Sequence, residues 1–340
     1  MMKFWIVVMV FVELVSAESG DTDHNRAQHD AICTLLQIAV DKWVSGGASL
    51  TEPLRTALEK TIFGEGVEPK IETLKSGLPA GYATVVDQFD SRSVACGQPH
   101  YDIGDGQILH QVRWSGHSAT HDLVCLCTVG DGGWPLNETS INNLCGKTLS
   151  DLGGEEKKGW HGEGSGKPQI EATWKNVTVP CLKEEKGKDL KQTLSDFLRK
   201  LENKSIHAYP NRYQLGKGEP GEIYACTGSP LRGVCVEYYN STTTLYPLPW
   251  WSELEKAIQK DEEIQEQKKR DEEKKRKQQD EAEQQNSQKP ETLKSGHPTT
   301  NQTEGSHKDN PTDTIRRYNL TSGTPISMPS TWLLSVAILI

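Results

Sequence analysis

HNRAQHDAICTLLQIAVDKWV, residues 24–44, carries the pattern that decides the fold. Ala27, Ala31, Ile32, Leu35, Leu36, Ile38, Ala39 and Trp43 recur mainly at three- and four-residue spacing, which predicts an amphipathic helix. Gly46-Gly47 supplies its stop. Cys33 lies on this helix, so a disulfide would clamp its first turns to another element. The expectation that follows is a mainly α fold built as a disulfide-stapled helical bundle.

Further helices extend the pattern. Pro53 opens a second one, because proline loses little in a first helical turn, and Leu54, Ala57, Leu58 and Ile62 carry it to Gly64. Shorter pieces are expected around 70–75 and 82–89. Leu190, Leu194, Phe197, Leu198 and Leu201 make the cleanest apolar stripe, predicting a helix over 189–201. Ser252 with Glu255 reads as a capping box after Pro247-Leu248-Pro249-Trp250-Trp251, and Leu254, Ala257, Ile258 and Ile264 give about three turns an apolar face. Past Ile264 only charge pairing persists, at Glu266/Arg270, Asp271/Lys275, Glu272/Arg276 and Glu273/Lys277. Such pairs contribute about 0.2–0.5 kcal/mol each, enough for a solvated helix, and no coiled-coil seam survives. The mixed charges of residues 261–285 read as a spacer.

Between about 96 and 180 glycine is dense and apolar periodicity weak. A loop-rich head is expected there, with short strands over 108–114 and 123–129, held by disulfides more than by a large core. Gly153 to Gly166 reads as an exposed loop. The eight cysteines are Cys33, Cys96, Cys125, Cys127, Cys145, Cys181, Cys226 and Cys235. The even number predicts up to four disulfides, whose pairing spacing does not decide. The loop holding Cys226 and Cys235 is expected to be tied back to the core.

The two most hydrophobic stretches stand at the ends. Residues 1–17 combine Lys3, an apolar run from Phe4 to Val12 and a small-residue close at Ser16-Ala17, the layout of a secretory signal. Ser322-Gly323-Thr324, a polar spacer and the uncharged run Trp332 to Ile340 have the layout of a glycosylphosphatidylinositol (GPI) attachment signal. Ser322 is the expected attachment residue and Gly323 the alternative. Both runs fall short of the about 20 apolar residues a spanning helix needs. The division expected is a signal over 1–17, an ectodomain over 18–252, a charged spacer over 253–285, a disordered glycosylated stalk over 286–322 and a removed signal over 323–340. Sequons stand at Asn137, Asn176, Asn203, Asn240, Asn301 and Asn319.

Catalytic chemistry finds little support. His117, His121, Cys125 and Cys127 have a metal-like spacing, but cysteines of a secreted chain favour disulfides over zinc. The glycine-rich run before Lys167 fails as a phosphate loop, with His161 and Pro168 where glycine and serine or threonine belong. A net charge of −9 without a basic aromatic patch argues against nucleic acid. Neither a cofactor nor a small-molecule substrate is expected.

The chain resembles the variant surface glycoproteins of African trypanosomes, in particular the Trypanosoma congolense group with a B-type-like N-terminal domain. The residues that carry this are His29-Asp30-Ala31-Ile32-Cys33-Thr34-Leu35-Leu36 on to Trp43, Pro53 to Leu58 with Thr61-Ile62-Phe63-Gly64, Cys125-Leu126-Cys127, Leu248-Pro249-Trp250-Trp251 and the C-terminal tail. The resemblance implies an elongated antiparallel helical stem with residues 27–44 and 189–201 in its core, a loop-rich antigenic head and a homodimer. It also implies a GPI-anchored coat at the outer leaflet of the plasma membrane, exposed to host antibodies and replaced antigenically. Many relatives add a cysteine-rich C-terminal domain, whereas here no cysteine follows Cys235. A receptor of the same helical class, for a transferrin- or haemoglobin-type host ligand, is the alternative.

Overall fold

The apolar stripe of residues 24–44 forms helix α1 (Arg26–Gly46), which buries Ile32, Leu35, Leu36, Ile38, Ala39 and Val40. In the computed structural model, residues 22–100, 111–154, 158–221, 224–240 and 247–287 are described. Helix α2 (Glu52–Phe63) has Pro53 in its first turn and ends at Gly64. That glycine holds φ +79°, and a Cβ there would lie 1.9 Å from the His117 ring, so both the turn and the close approach require it. Short helices α3 (Ile71–Ser76), α4 (Tyr82–Val86) and α5 (Ser91–Cys96) follow. Burying each leucine or phenylalanine of these faces stabilises by about 1.5–3 kcal/mol.

The centre is helix α6 (Ala119–Cys127), all nine residues of which are buried. Leu123 to Cys127 therefore corrects the strand expected over 123–129. A short continuous apolar run does not by itself distinguish a buried strand from a buried helix. Here the Ser118 hydroxyl accepts the His121 amide proton at 3.2 Å and starts a helix. Gln111 to Trp114 is not strand either, and residues 108–110 lie outside the described residues. The stretch expected to lean on disulfides instead builds core, through Leu123, Val124, Leu126, Leu152, Trp160 and Ile170.

Trp160 also corrects the exposed-loop reading of Gly153 to Gly166. Its ring is fully buried and its Nε1 donates to Ser91 Oγ at 2.9 Å. Helix α7 (Lys167–Thr173) begins at the end of that loop and continues through a wider turn (Trp174–Thr178) into a tight one (Val179–Leu182) that carries Cys181.

A small antiparallel sheet was not foreseen. It has the order β3 (Glu202–Asn203), β4 (Arg212–Lys217), β5 (Val234–Tyr239), with Gly216 opposite Cys235 and Arg212 opposite Tyr239. Every residue of β5 is buried, so its sequence VCVEYY lacks the polar alternation of a half-exposed strand. A two-residue parallel pair, β1 (Asp23–His24) with β2 (Asn143–Leu144), ties the start of α1 to the middle of the chain.

Helix α8 (Leu190–Leu198) buries Leu190, Leu194 and Phe197 against α1, and the Asp189 carboxylate caps it by accepting from Gln192 N at 2.8 Å. Helix α9 (Trp250–Ser287) starts two residues before the expected capping box. Ser252 is thus inside the helix and buried, not its cap. The chain forms one unit up to Glu281 and another from Ala282, of which only the end of α9 is described.

All eight cysteines are paired: Cys33–Cys181, Cys96–Cys125, Cys127–Cys145 and Cys226–Cys235. Cys33 clamps α1 as expected. Cys226 and Cys235 bond to each other, so they close their own loop instead of tying it to a distant element. Sequence separations of 148 and 9 residues set the two extremes. Loop-closure entropy assigns about 5 kcal/mol to the first and about 3 kcal/mol to the second. Replacing both Cys33 and Cys181 by serine is expected to lower the melting temperature more than the same change at Cys226 and Cys235. Thermal denaturation under non-reducing conditions checks the order.

Candidate functional site

A buried polar cluster surrounds α6, and it was not anticipated as a unit. Asp122 is its hub. Its Oδ1 accepts from Gly116 N at 3.0 Å, and its Oδ2 accepts from Tyr238 Oη at 2.9 Å and Trp250 Nε1 at 2.6 Å. Trp250 N returns a bond to Gly116 O at 2.9 Å. One carboxyl thus joins α6, β5 and the root of α9. Burial pushes it up to about 7, against the opposite pull of the three hydrogen bonds.

Two histidines occupy the next positions. His121 accepts from Tyr82 Oη at Nδ1 (2.8 Å), which leaves Nε2–H to donate to Ala95 O (3.0 Å). His117 accepts from Arg113 at Nδ1 (3.0 Å) and donates from Nε2 to Glu65 O (3.2 Å). Arg113 can only donate, so the neutral Nε2–H tautomer of His117 is dictated by its neighbour. Burial lowers His121 to about 3, and burial followed by the Arg113 charge holds His117 well below the ordinary histidine range.

Among the described residues no carboxylate meets the buried Arg92. It donates to three carbonyls, those of Cys125 (2.8 Å), Trp160 (3.0 Å) and Val129 (3.3 Å), and its guanidinium lies 5.1 Å from the Trp160 ring centre. Burial lowers it to about 9. Asn25 supplies a matching clamp: Nδ2 donates to Val234 O (2.7 Å) and Leu126 O (3.0 Å), and Oδ1 accepts from Lys217 N (3.0 Å). A carboxylate abutting a continuous apolar run, as Asp122 does at the head of LVCLC, was the available signal for the hub.

The geometry disposes of the metal pattern. Cys96, His121 and Cys125 do converge, with His121 Nε2 3.6 Å from Cys125 Sγ. Those sulfurs are bonded to each other, Cys127 is bonded to Cys145, and both His121 nitrogens are engaged, so neither thiolate nor lone pair is available to an ion. A cavity of about 860 Å³ opens beside the glycine-rich loop, lined by Asp131, His161, Ser165 and Gln169 among others. Ser165 Oγ there accepts from Gly162 N at 2.9 Å and from His161 N at 3.2 Å and donates to Gly162 O at 2.6 Å. That is turn chemistry: the hydroxyl proton is spent on a backbone carbonyl, and the His161 ring faces Asp131 at 3.7 Å.

The model of the trypanosomal VSG domain matches residues 40–280. The chain belongs to that family. It is 27% identical over 149 residues to the variant surface glycoprotein YnAT 1.1 of Trypanosoma congolense, a stretch covering 43% of this chain and 29% of that protein. The VSG family is non-enzymatic, and in this VSG domain the buried cluster bonds to the backbone and to other core side chains. Among the described residues no helix is long and apolar enough to cross a membrane.

The sequence-predicted sites of this VSG chain do not converge on one place. Asn137 and Asn203 are exposed, Asn240 half-buried. Asn176 is half-buried, its Nδ2 donates to Asp151 O at 2.6 Å, and the Thr178 of its sequon is fully buried. Asn301, Asn319, Ser322 and Gly323 lie outside the described residues.

The cluster predicts a pH profile. Asp122 and the buried Glu237, raised to about 8 chiefly by burial, have folded pKa values above their unfolded ones of about 4. Their contribution is fully present below about 4 and lost as pH rises toward 7–8. His117 and His121 are depressed below an unfolded value of about 6.5, so theirs is present above that and lost as pH falls. Between about 4 and 6.5 the two trends oppose each other, whereas above 6.5 only the carboxyls act. The melting temperature is therefore expected to decline from pH 6.5 to 8, and Asp122→Asn to flatten that decline while costing about 1–3 kcal/mol overall. A melting series against pH in both proteins measures it.

Proposed function

We propose that the chain is a coat antigen: a GPI-anchored variant surface glycoprotein that shields the cell and evades antibodies through antigenic replacement. The observation that carries the reading is the match of residues 40–280 to the trypanosomal VSG domain. The hydrophobic stretches at both ends support it, as does a body stapled by four disulfides.

In this reading residues 1–17 are a secretory signal, 18–252 the ectodomain with its head near 96–180, 253–285 a spacer and 286–322 a glycosylated stalk. Residues 323–340 are removed when the lipid joins Ser322, with Gly323 the alternative. The ectodomain pairs as a homodimer at the outer leaflet of the plasma membrane, and its partners are the lipid and host antibodies. Phosphatidylinositol-specific phospholipase C is expected to release the bulk of the protein from intact cells. Retention together with a mature C-terminus at Ile340 would overturn the anchor. A clean, saturable partner drawn from host serum by the soluble ectodomain would replace the coat reading with a low-copy receptor for a transferrin- or haemoglobin-type ligand.

Glycan occupancy follows exposure. Asn137 and Asn203 are exposed, the latter accepting from Ser205 N at Oδ1 (2.9 Å), whereas a glycan on Asn176 would crowd the bond to Asp151 and the buried Thr178. Enzymatic deglycosylation in heavy-oxygen water followed by peptide mass spectrometry is expected to find Asn137 and Asn203 more fully occupied than Asn176.

A further inference from the structure

Helix α9 divides into two stretches that are stabilised by different forces. From Trp250 to Ile264 it is fastened to the body. Trp250 and Leu254 are fully buried, Lys60 Nζ meets Glu253 Oε1 at 2.8 Å, Thr51 Oγ1 donates to Asp261 Oδ1 at 2.7 Å, and Lys191 Nζ meets Glu262 Oε2 at 2.7 Å. From Glu266 to Glu281 every residue is exposed. A helix that buries no face gains nothing from tertiary packing, so its order must be supplied along its own length.

The sequence of that stretch, EQKKRDEEKKRKQQDE, holds seven basic, six acidic and three glutamine residues. It contains neither glycine nor proline nor any β-branched or apolar side chain, and all but its two aspartates are good helix formers. Pairs at i, i+4 are formed: Glu266 with Arg270 at 2.6 Å, Gln267 with Asp271 at 3.1 Å, Glu273 with Lys277 at 2.9 Å. Asp271/Lys275 and Glu272/Arg276 share the spacing and the favourable acid-before-base order. At 100° per residue both signs fall all around the helix, leaving no apolar seam and no single-sign stripe on which a second helix could register.

We propose that residues 266–281 are a self-supporting helical strut, kept straight by their own ion pairs and not by a partner helix. This deepens the spacer role proposed for residues 253–285 and rests on it. Reach is not what the strut supplies. Sixteen helical residues span about 24 Å, and a flexible chain of that length has a similar root-mean-square span of about 22 Å. The difference is in the spread: the flexible chain samples everything from collapse to full extension, while the helix holds one length. Because the pairs are fully exposed, salt must weaken them.

The test uses the whole chain carrying spin labels at Gln267→Cys and Gln279→Cys, twelve residues and about 18 Å of helix apart. Double electron–electron resonance is expected to give one narrow intrachain distance at low salt, unchanged when labelled protein is diluted ten-fold with unlabelled. The distribution should at least double in width near 1 M salt, where the screening length falls to about 3 Å. The same broadening is expected at low salt on adding Arg276→Glu with Lys277→Glu, which sets like charges at i, i+4 against Glu272, Asp280, Glu273 and Glu281. Circular dichroism reports in parallel whether the body keeps its helices. A distribution already broad at low salt would overturn the strut. So would a narrow one indifferent to both salt and charge reversal. A chain labelled at Gln267→Cys alone that gives interchain distances below about 15 Å would show paired helices instead. None of these readings touches lipid release by phospholipase, so failure of the strut and failure of the anchored-coat reading are separable.

Discussion

A helix with no face to water sets the terms for this fold. Every residue of α6 is buried, so each polar group on it must find a protein partner or destabilise the body. Asp122, His121 and the carbonyls of Cys125 and Leu126 are met by Tyr238, Trp250, Tyr82, Arg92 and Asn25, drawn from five separate parts of the chain. Because each partner sits far away in sequence, satisfying α6 also fixes where β5, α4, α5 and the root of α9 must lie. The cluster resembles an active site in its shifted groups, but the bonds that Asp122 accepts all come from within the core, from Gly116, Tyr238 and Trp250.

Disulfides reinforce that centre instead of substituting for it. Cys125 and Cys127 leave α6 in different directions, toward Cys96 on α5 and Cys145 just after β2. The bridge with the longest reach, Cys33–Cys181, secures α1 to the helical segment that follows α7. The core of this VSG domain is thus defined by covalent staples together with a buried polar hub.

The far end of α9 works on the opposite principle. The body is ordered by removal of apolar surface from water, which neighbours share, whereas Glu266 to Glu281 buries no face among the described residues and relies on weak contacts repeated every turn. One helix therefore joins a stretch held mainly by burial to one held by exposed charge pairs. The clamp at Trp250, Lys60, Thr51 and Lys191 marks the transition between them.

Residues read in isolation determined the helices whose partners lie on the same stripe. The spacing in 24–44, Pro53 with Gly64, and the leucines of 189–201 were legible because helical periodicity is a local property. So were the sequons and the count of disulfides. Family resemblance was legible too, since it rests on an ordered set of short motifs. What stayed hidden was whatever burial on all sides erases. The run at 123–129 looked like strand because total burial removes the polar alternation that reports a helix face, and β5 escaped notice for the same reason. Disulfide pairing, the Asp122 hub and the Trp160 anchor required the tertiary structure, because each joins residues with no local reason to meet. Packing of whole elements, with α6 at the centre, brings most of them within bonding distance.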